Sequence, residues 1–339
     1  MIFKTKILCF LCAAALVSCS DETSINKMLG ISAQAPVITG CKVVSGKQVV
    51  FSFSTPVTIV SANFVPPLEV ESTTGGTEAA VNFTNDTSGG RQFIADILVE
   101  DADGNTLNAL VPFRTRNDNV PQFEINEVRI DATKPKSEFI EIKTKTAGNL
   151  GAVRVFAAST SIEEPFYEFP CVEVAAGEYI ILHLRTYPEQ QNCIDELENR
   201  LDLARLSGSS SAANDTPTTA RDIFVPDNKK ILHKSDVIYL LDQDDKILDA
   251  VMFSELASSW GKTKALTQAA EFLAKQGAWL SRDGVSIKTP AFEDAAVSAG
   301  TTTTKTLCRY EAQSDSNTAS DWYVCPTSKA SPGLRNNLP

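Results

Sequence analysis

Histidine is nearly absent: only His183 and His233 occur among 339 residues. A serine or cysteine nucleophile needs a positioned base, most often histidine, so little room is left for a hydrolytic triad. His183 falls in the apolar stretch Tyr179–Leu184 and His233 sits beside Lys234, and neither belongs to a catalytic motif. No G-x-S-x-G, H-E-x-x-H or glycine-rich phosphate loop is present. Beyond the N-terminal segment the cysteines are Cys41, Cys171, Cys193, Cys308 and Cys325, and no two form a C-x-x-C. That spacing excludes the usual structural zinc sites, so no metal and no cofactor is expected. Long apolar runs are missing too. The stretch Ile7–Val17 has eleven residues, and a spanning helix needs about 20. Positive charge is also short, with 31 Lys and Arg against 42 Asp and Glu, a net charge of -11. Such a surface opposes a phosphate backbone, and no nucleic-acid partner is expected.

What is present begins with enough apolar material for a packed core: 43% of residues are hydrophobic and 22% charged. The length suits two domains and a targeting segment. Lys4 and Lys6 followed by Ile7–Val17 have the form of an export signal. The segment closes on Leu16-Val17-Ser18-Cys19, which resembles the lipobox of bacterial lipoproteins. The resemblance implies cleavage between Ser18 and Cys19 and a diacylglycerol on the Cys19 thiol. Several acyl chains on one residue anchor firmly, at about 0.8 kcal/mol per buried methylene. The mature chain is then expected to begin at Cys19, to be held to a membrane by its lipid, and to lie in the cell envelope. The outer membrane, on its surface or its periplasmic face, is preferred over the inner.

Residues 19–35 read as a polar tether. From 36 to 117 short strand patterns recur at regular spacing, among them Val37–Val44, Gln48–Ser54, Val57–Val60, Ala79–Phe83 and Phe93–Glu100. Ser45-Gly46, Gly75-Gly76 and Asp103-Gly104-Asn105 supply turns between them. The pattern predicts a small β-sandwich. Asp103-Gly104-Asn105 followed by Val111-Pro112-Phe113 resembles the closing hairpin of bacterial Ig-like domains.

The second domain is expected over 122–339. Phe123–Ile130 and Glu138–Thr144 read as its opening strands. Ile125-Asn126-Glu127-Val128, Glu138-Phe139-Ile140-Glu141-Ile142 and Ala176-Gly177-Glu178-Tyr179-Ile180-Ile181-Leu182 follow in order. Next come a hairpin from Ser235 to Val251 turning at Gln243–Lys246, then Asp321-Trp322 and Ser331-Pro332-Gly333. Together these are similar to the lamin-tail domain. The resemblance implies a second Ig-like β-sandwich without an active site of its own, known as an accessory or interaction module. Two insertions depart from that pattern, near 188–231 and 254–278. Each carries a helical period, with Ile194, Leu197 and Leu201 in the first and Leu266, Ala269, Ala270 and Leu273 in the second. The fold class is therefore all-β: two tandem Ig-like sandwiches, the second with helical insertions.

Glu138 and Glu141 are three apart on one strand and so point to opposite faces, which does not suit a proton-sharing dyad. Bonds to backbone groups of neighbouring loops are expected for them instead. Asp101, Asp103 and Asn105 lack the rest of a calcium loop and read as a hairpin turn. In an oxidising compartment Cys308 is expected to pair with Cys325 across a hairpin and Cys171 with Cys193, leaving Cys41 as a small buried hydrophobe. Trp260 and Trp279 bracket the second insertion, where they either pack it down or present an aromatic contact surface. Without a catalytic set, the expected function is noncatalytic recognition, adhesion or scaffolding by an anchored module, with an unknown protein or glycan partner. The alternatives are an envelope hydrolase using Asp236, Asp242 and Asp249, or a structural subunit of an outer-membrane assembly.

Overall fold

The computed structural model describes residues 34–87, 89–134, 136–188, 220–255 and 263–339. Alternating apolar residues build the first six strands: β1 (Ile38–Ser45), β2 (Gln48–Val65), β3 (Val70–Thr73), β4 (Gly76–Phe83), β5 (Gln92–Asp101) and β6 (Thr106–Arg114). β2 joins two stretches that the sequence pattern separates. Its first half pairs with β1 and β4, its second half with β5, and the ladder to β4 is interrupted between Ser52 and Val57. Pro56 lies in that gap. Proline has no N–H to donate, so it marks the place where one strand changes partners. The two halves bring Phe51, Phe53, Phe64, Phe83, Phe93 and Phe113 into one core, with the Phe64 ring edge-on to Phe83 at 5.1 Å.

A second core gathers residues from Phe123 to Trp322. Its strands are β7 (Phe123–Arg129), β8 (Phe139–Thr144), β9 (Gly148–Asn149), β10 (Arg154–Ala157), β11 (Tyr167–Glu168), β12 (Glu173–Val174) and β13 (Tyr179–His183). They continue with β14 (Arg221–Phe224), β15 (Asp236–Leu241), β16 (Ile247–Ser254), β17 (Ala296–Val297), β18 (Leu307–Arg309) and β19 (Trp322–Val324). One sheet runs β14-β13-β8-β7-β18-β19 and the facing one β11-β10-β15-β16-β17, with β9 and β12 forming a small ribbon. Ile125 and Ile142 from the first sheet and Val237 and Val251 from the second share this core. The fold is all-β and sandwich-like, as the spacing of apolar runs predicts.

The described residues hold one α-helix, α1 (Lys264–Lys275), inside the second expected insertion. Leu266, Ala269, Ala270 and Leu273 are buried on one side, the face that the 3.6-residue period picks out. Gln276 caps it, and Gly277 follows at φ 71°, a left-handed stop that suits glycine. The helix expected within 188–206 lies outside the described residues. No helix among the described residues is long and apolar enough to cross a membrane.

Candidate functional site

The polar groups of the second core converge beneath the C-terminal segment. β7 and β8 pair Ile125 with Ile142 and then Glu127 with Glu141, so Asn126 is the extra residue of a β-bulge. The bulge sets two carboxylates directly opposite one another, both fully buried. Each is ringed by donors. Glu127 accepts from the Thr306 hydroxyl, from Ser331 N at 3.1 Å and from Ser331 Oγ at 3.3 Å. Glu141 accepts from Asn126 Nδ2 at 2.7 Å and from the Gly333 amide.

Burial dominates the charge state of the pair. It lifts Glu127 to about 7, against the pull of Thr306, Ser331 and Arg129. Glu141 is held well above the usual carboxylate range, first by burial and then by the charge of Glu127. A third carboxylate, Glu311, closes the far end. Burial pushes it up, but bonds from Lys143, Asn336 N and the Tyr179 hydroxyl outweigh that and hold it below its ordinary value. Asn336 then ties the segment down, donating its Nδ2 to Asn126 O and Arg309 O, both at 3.0 Å. The arrangement stores a proton and fastens a chain segment. Glu127 and Glu141 are sealed from solvent, which does not suit them to act on a substrate.

A second buried relay joins three residues far apart in sequence. Ser137 Oγ lies 3.2 Å from His183 Nδ1, and His183 Nε2 lies 2.7 Å from Asp222 Oδ1. The imidazole also stacks on Phe224 at 4.4 Å between ring centres. The residues are those of a Ser–His–Asp triad, but the ring nitrogens are exchanged, with Ser137 on Nδ1 and Asp222 on Nε2, and Ser137 is 1% exposed. A nucleophile must meet its substrate, so the relay reads as a satisfied polar core. Glu138 next to it forms a two-pronged ion pair with Arg185.

The junction between the two cores forms a third polar focus. Arg116 grips Asp244 through two bonds of 3.0 and 2.6 Å. Asn117 receives a bond from Gln243 Nε2 on its carbonyl and donates its own N–H to Gln243 Oε1 at 2.9 Å. The same residue donates Nδ2 to the Asn149 and Gly151 carbonyls at 2.8 and 2.7 Å. Arg114 reaches Glu168 at 2.7 Å. Beside this clasp opens a cleft of about 440 Å³, lined among others by Arg116, Asp118, Phe123, Asp242, Lys246 and Leu248.

Residues singled out in the sequence fall as follows. Trp279 is 1% exposed and donates its indole N–H to Asp294 O at 2.9 Å. It packs the second insertion down, and burial removes it as a contact surface. Trp260, Cys19 and Cys193 lie outside the described residues. Asp236, Asp242 and Asp249 are not brought together. Asp236 and Asp249 sit opposite Phe253 and Leu240 on the β15–β16 hairpin, roughly 13 Å apart along it. Asp236 accepts from Ser159 N and Val237 N, and Asp242 closes the hairpin turn by accepting from Asp244 N and Lys246 N. Asp249 pairs with Arg309 at 2.8 Å. Asp101 accepts from Asp103 N and Asn105 N, both at 2.9 Å, as a hairpin turn requires. Cys41 is half-buried against the first core, and Cys171 is half-buried with Asn149 Nδ2 at 3.1 Å from its sulfur. Cys308 on β18 and Cys325 just after β19 are buried free thiols, so the disulfide expected between them is not formed in this structure.

These features define an all-β, sandwich-like protein whose second unit is sealed by a buried carboxylate network. The chain belongs to the family TP_1001_2nd, described as "protein second domain", whose model matches residues 121–324. It is also similar to an uncharacterized protein of Treponema pallidum (strain Nichols), 27% identical over 210 residues. That match covers 60% of this chain and 51% of the relative, so the chain spans about half the relative's length. A crystal structure of a DUF4876 family protein from Bacteroides thetaiotaomicron aligns over 90% of this chain and 96% of its own. Its identity is 10% and its TM-score 0.29, too low to carry an argument about fold or function.

Proposed function

We propose that the protein is a lipid-anchored envelope component that displays a noncatalytic recognition surface on two rigidly joined β-units. In this reading the lipid sits on Cys19, residues 19–35 are the tether, 36–117 form an Ig-like module and 122–339 a lamin-tail-like one. One observation carries it above the others: the clasp of Arg116, Asn117, Gln243 and Asp244 fixes how the units meet. A freely jointed pair would need no bidentate ion pair and no buried asparagine at the linker. A stiffly joined pair of units beyond a tether holds its far surface away from a membrane. The cleft at the junction, lined by the linking segment from Arg116 to Phe123 and by the β15–β16 turn, is where a partner would meet the chain, since ligand sites favour domain junctions. The partner is a protein or a glycan.

The test has two arms. Cells expressing the wild-type chain and Cys19→Ala are fed an alkyne-tagged fatty acid and fractionated. Tagged wild-type protein in the membrane fraction and untagged Cys19→Ala protein outside it are expected; equal labelling would overturn the anchor. Protease added to intact and then to permeabilised cells distinguishes surface from periplasmic display. Digestion of neither would place the protein inside the cell and end the reading.

A further inference from the structure

The β18–β19 hairpin is short for the task it performs. Two strands of three residues each, joined by a long connection from Tyr310 to Asp321, form the edge of the six-stranded sheet. Leu307 and Trp322 turn one face into the main core. The other face holds a separate small cluster of Cys308, Tyr310, Tyr323 and Cys325. Ordering so long a connection for so few ladder bonds is costly in chain entropy, and the outer cluster has little apolar area to offset it.

The cysteines of that cluster are placed to do so. Cys308 stands opposite Tyr323 and Cys325 next to Thr306, so the two thiols are diagonal neighbours on one face. Both sulfurs lie close to a single atom, Thr306 Oγ1, at 3.5 and 3.3 Å. Thr306 in turn donates to Glu127, which holds Ser331. The sulfurs are thus linked through one hydroxyl to the carboxylate network under the C-terminal segment.

We propose that Cys308 and Cys325 are a cross-strand redox pair that closes to a disulfide as the chain folds in an oxidising compartment, fastening the edge hairpin. The oxidant is a small or protein disulfide of the thiol-exchange class. One of the two cysteines, ionised while the hairpin is still forming, attacks first as the thiolate. Attack breaks the oxidant's S–S bond, forms a mixed disulfide and releases one oxidant thiol. The other cysteine then loses its proton and attacks the sulfur of the first. The intramolecular S–S bond forms and the second oxidant thiol leaves. Two cysteine thiols are oxidised and one disulfide is reduced, and both protons end on the oxidant's thiols. Burial of both sulfurs makes folding, rather than the finished structure, the moment of exchange. The compartment is taken from the envelope reading above; the pairing itself is not.

The test refolds the full chain from urea in a glutathione redox buffer, blocks free thiols and digests with trypsin. Cleavage after Lys305, Arg309 and Lys329 places Cys308 in residues 306–309 and Cys325 in 310–329. A disulfide therefore appears as one linked pair of peptides that separates on reduction. That pair is expected as the dominant form of Cys308, with the urea midpoint raised by about 1 M over the reduced protein. Both peptides blocked singly, or joined to those of Cys41, Cys171 or Cys193, would overturn the pairing. The assay needs no variant, so a misfolding Cys308→Ser would not cloud it. The same digest on protein blocked at cell lysis tests the compartment alone. A link that forms in the tube but is missing from cellular protein overturns the oxidising location and leaves the pair standing.

Discussion

Glu127 on β7 stands directly opposite Glu141 on β8, and both side chains are fully buried. Like charges in that position repel, and leaving water costs each of them more than it would an ordinary surface glutamate. The pair is tolerated because donors surround it and because at least one member keeps a proton near neutrality. Its role in the fold is to hold the chain from Ser331 to Asn336 against the bulge at Asn126.

This relationship has a pH signature of definite sign. Unfolded, Glu127 titrates near 4.5; folded, burial lifts it to about 7. Between those values the folded chain binds more protons than the unfolded one, so stability falls as pH rises through that window. Glu141 acts in the same direction, as does Asp249, which burial raises to about 6 despite Arg309. Glu311 is lowered and acts below its ordinary value, outside the window. Urea melts from pH 4.5 to 7.5 should show a loss on the order of 1–3 kcal/mol. Glu127→Gln should flatten that slope by about half. A slope of zero in the wild-type chain would contradict the buried, proton-holding pair.

Trp279 yields a plainer expectation. Its ring is buried and its indole N–H is satisfied by Asp294 O. Trp279→Ala should cost about 3–5 kcal/mol through the cavity it leaves. Trp279→Phe keeps most of the volume and loses the hydrogen bond, for about 1–2 kcal/mol. Thermal or urea melts of the two variants order the costs. A nearly neutral Trp279→Ala would mean that the segment after α1 is not held down by this side chain.

Much of this architecture was legible in the residues themselves. β7, β8, β13 and the β15–β16 hairpin carry apolar runs bounded by turn signals, and the buried stripe of α1 follows its period. The continuity of β2 was hidden because Pro56 and its neighbours read as a break. The Glu127–Glu141 pair was hidden for a different reason. Within one strand, Glu138 and Glu141 face apart, and only the register across the hairpin, shifted by the Asn126 bulge, reveals the true neighbour. Counted back from the hairpin turn, Arg129 against Phe139 sets Glu127 level with Glu141, and that is the signal the two strands carry. The Ser137–His183–Asp222 relay joins β8's approach, β13 and β14, the last two a parallel pair with a long connection. No local pattern reports such a meeting. The two carboxylates of Asp236 and Asp249 illustrate the converse: close in sequence pattern, they are consumed separately by Ser159 and Arg309.

The clasp between the units is the feature whose removal should separate rigidity from stability. Asn117 is 4% exposed and is the donor to the Asn149 and Gly151 carbonyls. Asn117→Ala removes that donor from two buried acceptors, at about 1–3 kcal/mol. Gly90 meets the same place from the other side, at φ +74°, where an added Cβ would lie 2.5 Å from Gly151 C. No flexible side chain is there to yield, so Gly90→Ala must push the backbones apart. The first core, in Phe51, Phe64 and Phe93, has no member at this contact, and the second touches it only at its rim, through Leu150 and Val153 beside Gly151. Each variant should therefore keep its cooperative melt while trypsin cuts faster after Arg116, and small-angle scattering should show a broader distribution of particle lengths. Cleavage and scattering unchanged in both variants would mean that the ion pair of Arg116 with Asp244 alone holds the angle. Arg116→Gln combined with Asn117→Ala would then have to loosen it, and a junction that stayed stiff even so would mean that the clasp does not set the geometry.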